Sequence, residues 1–139
     1  MTAVYTAEAR STGAGRTGHV RSTDGVIELD LGAPEALGGD RPAANPEMLF
    51  AAGYAACFHS TMRTLAAARK LEIGATTVDA AVGIGPDDEG GWILNVDLEV
   101  RIPVLTHEAA QELVTATHRI CPYSKAVRGN IEVVVGVAD

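Results

Sequence analysis

The sequence predicts an α+β protein, and three patterns support that class. An uncharged run from Met48 to Phe58 lies in a long predicted helix, and apolar and polar residues alternate from Trp92 to Ile102 as in a strand with one wet face. The predicted order is three strands, a helix, two strands, a helix and a last strand. Because this order leaves few parallel crossovers, we expect helices to cover one face of antiparallel sheets.

The size and charge of the chain limit the kinds of partner it can have. Its 139 residues suit a single domain, 1–139, with a substantial core. The formal net charge of -7 argues against nucleic acid or an anionic membrane surface, because both require a basic footprint. The uncharged run is also far shorter than the roughly 20 residues that span a membrane. The first residues lack the basic start and apolar run of a secretory signal, so we expect a cytoplasmic protein.

The N-terminal part predicts a three-stranded meander. Its expected strands are Val4 to Ala9, His19 to Ser22 and Val26 to Leu31. The loop from Gly13 to Gly18 matches the GxGxxG fingerprint of dinucleotide sites, but that fingerprint requires a following helix, and a turn signal follows instead. We therefore interpret the segment as a glycine loop that joins two strands and carries one charged residue, Arg16.

The central helix is predicted to begin at Pro46 and to end near Gly74. Asn45 can accept the first free amide hydrogens, proline fits the first turn, and Glu47 favours the positive end of the helix dipole. Its many alanines allow close packing on several sides. We therefore expect a buried core helix, preceded by a single helical turn at residues 34–39.

The second half predicts two strands, a helix, a short helical turn and a last strand. Thr106 is the expected cap of the helix, and Pro122 interrupts it before a turn that stops at Gly129. The strands are expected at residues 78–84, 92–102 and 131–137. Because each half-sheet is small and strongly apolar, we expect a dimer that merges them.

Cys57 and Cys121 are the candidate reactive groups, 64 residues apart and each on an apolar helical face. A buried cysteine is often only a small hydrophobic residue, so an inert role stays open for both. Cys121 directly precedes Pro122, and a cysteine at the start of a helical turn meets free amide hydrogens that favour its thiolate. His118 shares a helical face with Cys121, but two ligands do not make a zinc site, and no residue is placed to orient the base of a Cys-His hydrolase.

Two long segments carry a family resemblance. Asn45 to Phe58 (NPEMLFAAGYAACF) and His118 to Asn130 (HRICPYSKAVRGN) closely resemble the organic hydroperoxide resistance (Ohr) branch of the Ohr/OsmC family. Three shorter motifs fit the same branch in the same order: Gly15-Arg16, Leu37-Gly38-Gly39 and Val82 to Pro86. The resemblance covers nearly the whole chain. It implies the Ohr/OsmC fold and an intertwined homodimer with two sites at the interface.

The resemblance also implies a thiol peroxidase that reduces organic hydroperoxides to alcohols. Cys57 matches the peroxidatic cysteine, which becomes a sulfenic acid, and Cys121 matches the resolving cysteine, which then forms a disulfide with it. Arg16 matches the arginine that stabilises the thiolate and the peroxide oxygens, and Glu47 matches the glutamate that orients this arginine. Because ten residues on one helix span about 15 Å, we expect Arg16 and Glu47 to serve the cysteines of the other subunit.

An apolar surround near Cys57 is expected to favour alkyl and fatty-acid hydroperoxides over hydrogen peroxide. The candidate substrate-binding residues are Met48, Phe50, Tyr54 and Phe58, most of which would equally well fill a core. No metal, flavin or haem is expected, because the cysteines themselves carry the electrons. The resemblance implies a dihydrolipoyl group on a partner protein as the reductant.

Four positions depart from the family pattern, and none of them is a catalytic candidate. Thr17 stands where an acidic residue is usual, Met48 replaces a glutamine, and Lys125 and Val127 replace an asparagine and a threonine. Two other interpretations stay open. A protein of the broader OsmC-like branch would share the chemistry but act on another substrate, and a redox sensor would oxidise once instead of turning over.

Overall fold

The computed structural model describes residues 1–139, which form two compact units. The first unit, Met1–Leu49, holds strands β1 (Ala9–Thr12), β2 (His19–Ser22) and β3 (Glu28–Asp30), a single 3-10 turn (Glu35–Leu37) and the start of helix α1 (Pro46–Ala68). The second unit, Phe50–Asp139, holds the rest of α1, strands β4 (Thr77–Pro86) and β5 (Trp92–Arg101), helices α2 (His107–Ile120) and α3 (Pro122–Val127), and strand β6 (Val133–Val137). The α+β class is confirmed.

The three-stranded meander of the first unit is confirmed, but its first strand lies later than expected. β1 and β3 both pair antiparallel with β2, and the glycine loop between β1 and β2 joins two strands as the sequence predicts. The prediction of a strand from Val4 to Ala9 is wrong, because Thr12 pairs with His19 and this register brings Ala9 opposite Ser22, the last residue of β2. Val4 and Tyr5 lie beyond that partner and are exposed.

The sheet of the second unit is mixed and not purely antiparallel. β5 pairs antiparallel with β4, but β6 pairs with β5 in parallel, from Val96 opposite Val133 to Val100 opposite Val137. The expectation of antiparallel sheets alone is therefore corrected. Helices α2 and α3 connect the two parallel strands, and such a crossover returns the chain to the same end of the sheet.

The core of the second unit lies against one face of this sheet. Val96, Leu98 and Val100 of β5 are at most 2% exposed, and they pack in one cluster with buried residues of α1 and α2. The predicted alternation of β5 is confirmed there. At its first residue it is not, because Trp92 is 64% exposed. Trp92 pairs only with Pro86 at the turn end of the β4 and β5 hairpin, four residues before the pairing with β6 begins.

Helix α1 begins at Pro46 as predicted but ends six residues before Gly74. The side chain of Asn45 caps it by accepting the backbone N–H of Met48 at 2.8 Å. At the other end, Leu71 N–H donates to the Ala66 carbonyl and Lys70 N–H donates to the Ala67 carbonyl, with Lys70 in the left-handed region at φ 54°. This is a Schellman stop, which satisfies the last carbonyls without the glycine that usually marks it.

Within the single chain, α1 buries one stripe. Its buried residues are spaced four apart and are Tyr54, Phe58, Met62 and Ala66. Ala52 and Ala56, on other sides of the helix, are exposed in the single chain. No helix of the protein is both long enough and apolar enough to cross a membrane.

The junction between α2 and α3 follows the prediction closely. Thr106 caps α2 by accepting the N–H of Ala109, and Pro122 is the first residue of α3, where its missing N–H costs nothing. Gly129, just after α3, has φ 77°, as expected of a glycine stop. Cys121 is the single residue between the two helices, and its backbone bonds to both: its N–H donates to the Thr117 carbonyl and its carbonyl accepts the Lys125 N–H.

Candidate active site

Arg16 and Glu47 form a bidentate ion pair within the first unit. Arg16 Nη1 and Nη2 donate to the two Glu47 carboxylate oxygens, each at 2.8 Å. Glu47 lies in the first turn of α1, and Arg16 lies on the glycine loop, where a side chain at Gly18 would collide with the Thr12 carbonyl oxygen. The paired geometry fixes the plane of the guanidinium, since two parallel hydrogen bonds allow only one orientation.

The ion pair alters the pKa of both partners. Hydrogen bonding to Arg16 lowers the pKa of Glu47, against the opposing effect of its burial. The same hydrogen bond raises the pKa of Arg16. Glu47 is therefore a carboxylate and Arg16 a cation at neutral pH, and the cation is available to an anion beside it.

The two cysteines face each other within the second unit. Cys121 Sγ donates to Cys57 Sγ across 3.9 Å, and both thiols are free. Cys57 lies next to Phe58 of the buried α1 stripe and is half-buried, whereas Cys121 is fully buried. The two sulfurs come together because α1 carries one of them and the α2 and α3 junction carries the other.

The thiol of Cys57 is not strongly acidic in the single chain. Burial raises its pKa, while the backbone N–H of Tyr123 acts in the opposite direction by hydrogen bonding to the sulfur. Tyr123 is the second residue of α3, so this N–H is one that the helix itself leaves unpaired. A full thiolate at neutral pH therefore needs a further positive charge near Cys57.

Aromatic rings adjoin the cysteine pair. Phe50, Tyr54 and Tyr123 are mutual neighbours, with ring centroids 5.7 to 6.3 Å apart. A Cβ at Gly53 would lie 2.7 Å from the Tyr123 hydroxyl oxygen, so the glycine allows the Tyr123 side chain of α3 to pack closely against α1. Of the predicted substrate-binding residues, Tyr54 and Phe58 are fully buried and Phe50 is half-buried.

The fourth predicted substrate-binding residue, Met48, belongs to the first unit. It is 56% exposed and lines an open cleft of about 520 Å³ with residues 34–35, 39–43 and 45. A role in substrate binding for all four residues stays a prediction.

A chain of hydrogen bonds beside the cysteines was not predicted from the sequence. The Tyr54 hydroxyl and His118 Nδ1 each lie 2.8 Å from Ser124 Oγ, and both Tyr54 and Ser124 are fully buried. Burial lowers the pKa of His118, and the nearby Arg128 guanidinium lowers it further. The sequence suggests only a helix-face histidine here, because nothing in a single chain indicates that Tyr54 reaches Ser124 across 70 positions.

The other histidines have structural partners. His59 on α1 contacts the Thr76 hydroxyl at 2.6 Å, and His19 on β2 contacts the Asp30 carboxylate at 2.8 Å. His107 lies 3.7 Å from the carboxylate of Asp139. These contacts agree with the prediction of surface and helix-face histidines, and they leave His118 as the histidine beside the cysteines.

Comparison with known proteins identifies close relatives along the whole chain. Residues 38–136 match the model of a family described as OsmC-like protein. The organic hydroperoxide resistance protein OhrB of Bacillus subtilis is 43% identical over 94% of this chain and 96% of its own length. An organic hydroperoxide resistance protein of Xanthomonas axonopodis is 44% identical over 97% of this chain and 95% of its own.

A solved structure shows the same architecture. The crystal structure of an organic hydroperoxide resistance protein from Elizabethkingia anophelis superposes with a TM-score of 0.95 at 49% identity, covering 100% of this chain and 99% of that one. The sequence and the fold therefore point to the same group of proteins.

Proposed function

Since the chain belongs to the OsmC-like family, in its organic hydroperoxide resistance branch, we propose that it is a thiol peroxidase that reduces organic hydroperoxides to alcohols. The observation that carries the proposal is the approach of Cys57 Sγ to Cys121 Sγ at 3.9 Å. Two free thiols at this distance can close a disulfide after a movement of about 2 Å. The proposed function is protection against organic hydroperoxides.

Exposure assigns the two cysteines to different steps. A hydroperoxide must reach the sulfur that attacks it, and Cys57 is half-buried whereas Cys121 is fully buried. Cys57 is therefore the peroxidatic residue and Cys121 the resolving residue. Both lie beside the aromatic cluster of Phe50, Tyr54 and Tyr123, which suits an apolar alkyl or fatty-acid hydroperoxide.

The chemical steps balance without a metal or an organic cofactor. The Cys57 thiolate attacks the terminal peroxide oxygen, the O–O bond breaks, and the alkoxide takes up a proton to leave as the alcohol. The resulting sulfenic acid reacts with the Cys121 thiol, so that an S–S bond forms and the oxygen leaves as water. A dithiol then reduces the disulfide by exchange and is itself oxidised. We assign this role to a dihydrolipoyl group on a partner protein.

The positive charge that Cys57 needs is assigned to Arg16 of a second subunit. Burial raises the pKa of the Cys57 thiol, and the paired Arg16 guanidinium is a preorganised cation. Glu47 holds Arg16, yet Glu47 and Cys57 are ten residues apart on one continuous helix, a rise of about 15 Å. A two-fold dimer resolves the mismatch, because each subunit then completes the site of the other.

The exposed apolar residues support such a homodimer. Val4, Tyr5 and Val26 of the first unit are each more than three-quarters exposed in the single chain, and alanines of α1 are exposed as well. Apolar surface of this kind is characteristic of an obligate interface. We place the dimer in the cytoplasm, where reducing conditions return the cysteines to thiols.

The test of the proposed function is steady-state consumption of cumene hydroperoxide and of hydrogen peroxide, with dihydrolipoamide as the reductant. We expect continuous turnover of the organic peroxide, much slower turnover of hydrogen peroxide, and no turnover by Cys57→Ser. A protein that forms one disulfide and then stops, even with several dithiols, would be a redox sensor. A protein that consumes neither peroxide would contradict the proposal.

A further inference from the structure

We propose that Tyr54, Ser124 and His118 form a hydrogen-bonded clamp that holds Cys121 in position to resolve the Cys57 sulfenic acid. The inference rests on the proposed peroxidase function and adds positioning residues for its second step. The clamp is the chain of contacts from the Tyr54 hydroxyl through Ser124 Oγ to His118 Nδ1, with both distances at 2.8 Å. All three residues belong to the second unit.

The clamp joins the three helices that carry the two sulfurs. His118 is three residues before Cys121 on α2, and Ser124 is three residues after it on α3. Tyr54 lies on α1, three residues before Cys57. Cys121 is thus bracketed on both sides by the clamp, and the far end of the clamp is attached to the helix of the attacking sulfur.

The directions of the hydrogen bonds follow from counting hydrogens. Tyr54 and Ser124 are fully buried, and no buried polar side-chain atom lacks a partner. Every hydroxyl hydrogen is used when Tyr54 donates to Ser124 and Ser124 donates to Nδ1 of a neutral His118. The pKa of His118 is lowered by its burial and by Arg128, which agrees with a neutral ring. Arg128 also donates to the His118 carbonyl at 2.6 Å.

Aromatic contacts reinforce the same arrangement. The Tyr54 ring packs against the ring of Tyr123 at a centroid distance of 5.7 Å. Tyr123 lies between Pro122 and Ser124 on α3. Tyr123 also supplies the backbone N–H that hydrogen bonds to Cys57. Displacing α3 would therefore move the resolving sulfur and this N–H together.

The resolving step depends on position because it competes with a second oxidation. The sulfenic acid either condenses with the Cys121 thiol, releasing water, or its sulfur attacks a second hydroperoxide molecule, whose O–O bond breaks to give a sulfinic acid and a second alcohol. The first route requires the two sulfurs to close from 3.9 Å to about 2.05 Å. If Cys121 is misplaced, the disulfide forms more slowly and a larger fraction of the sulfenic acid is oxidised to the sulfinic acid.

The experiment measures this competition in the full-length protein. Reduced protein is mixed with increasing cumene hydroperoxide, and intact mass gives the fractions of disulfide and sulfinic acid. The variants are Ser124→Ala and His118→Leu, with His118→Asn as the conservative replacement, because its amide oxygen can accept near the position of Nδ1. Thr117→Val is the matched control, since it removes a fully buried hydroxyl that hydrogen bonds only to the Leu113 carbonyl.

For Ser124→Ala and His118→Leu, we expect half of Cys57 to be sulfinic acid at a hydroperoxide concentration about tenfold lower than for the wild type. His118→Asn should need a concentration between those of His118→Leu and the wild type. Thr117→Val should match the wild type. A ratio of products reports the competition even if a variant is less stable, and the half-buried His118 tolerates replacement if Ser124→Ala fails to fold. Clamp variants that match Thr117→Val would overturn the clamp while leaving the peroxidase intact. A wild type that is not oxidised at all would overturn both.

Discussion

At the scale of single residues, Arg16 is a fixed cation and Cys57 is a thiol that a nearby cation would make more acidic. The Arg16 cation is held by the two hydrogen bonds that it donates to Glu47, and the Cys57 thiol is partly desolvated with its pKa raised. A preorganised cation beside a desolvated sulfur would stabilise the thiolate more than the same cation in open water. The proposed function therefore makes the reactivity of Cys57 depend on Arg16, a residue of the glycine loop.

Replacing Arg16 tests this dependence. In a Cys121→Ser background, Arg16→Ala should raise the pKa of Cys57 and slow its reaction with cumene hydroperoxide at neutral pH by about 10²-fold, as for loss of one preorganised donor. The pH profile of iodoacetamide alkylation gives the pKa. Arg21→Ala is the control, because Arg21 lies exposed on β2 and pairs with Glu28. Equal profiles for the two variants would contradict the assigned role.

Glu47 should also make stability depend on pH. Its pKa is lowered in the folded state by the hydrogen bond from Arg16, so the stabilisation is present above the ordinary glutamate value of 4.5 and is lost as the pH falls through the folded value. Because Arg16 is partly exposed, Glu47→Gln should cost only about 0.5 kcal/mol at pH 7. Urea unfolding should show that cost shrink as the pH falls below 4.5, and a pH-independent difference would refute the linkage.

The end of α1 is the feature to test at the scale of elements. Lys70 adopts φ 54° in the Schellman stop, a conformation that costs a residue with a Cβ about 1 kcal/mol or more. Lys70→Gly should therefore raise the free energy of unfolding by about 0.5 kcal/mol after the greater chain entropy of glycine is subtracted. Lys70→Ala keeps the Cβ and should show no such gain. Urea unfolding gives the free energy of unfolding of both variants, and equal values for Lys70→Gly and Lys70→Ala would contradict the prediction.

Elements were predictable where a local signal marks them. The start of α1 is indicated by Asn45 and Pro46. The start of α2 is indicated by Thr106 and its end by Pro122. The end of α1 carried no mark, because a lysine occupies the position that glycine usually takes. The parallel pairing of β6 was also hidden, since alternating side chains look alike in either strand direction.

The residues of the candidate site are likewise predictable from the sequence only in part. The two cysteines and the Arg16 and Glu47 pair follow from the family resemblance, and the ion pair is present at 2.8 Å. The clamp has no local signal, because Tyr54 fits the apolar stripe of α1 and meets Ser124 only after α1 and α3 have packed.

At the scale of the whole molecule, the proposal is that a second subunit completes the site, and mixed dimers test this directly. Cys57→Ser and Arg16→Ala chains should each be inactive or nearly so alone. In a mixed dimer, the intact Cys57 of one chain would meet the intact Arg16 of the other. Equal mixing should therefore restore about a quarter of the wild-type activity per chain, since half of the dimers are mixed and each has one complete site. No restoration after verified mixing would place Arg16 and Cys57 of one chain in one site.

The most direct test of the central claim is a single turnover with one equivalent of cumene hydroperoxide, followed by thiol counting and peptide mapping. We predict that both free thiols of each chain disappear, that Cys57 and Cys121 are recovered in one disulfide-linked pair, and that one equivalent of alcohol forms. Retention of both thiols, or a disulfide between chains in place of the pair within one chain, would contradict the account.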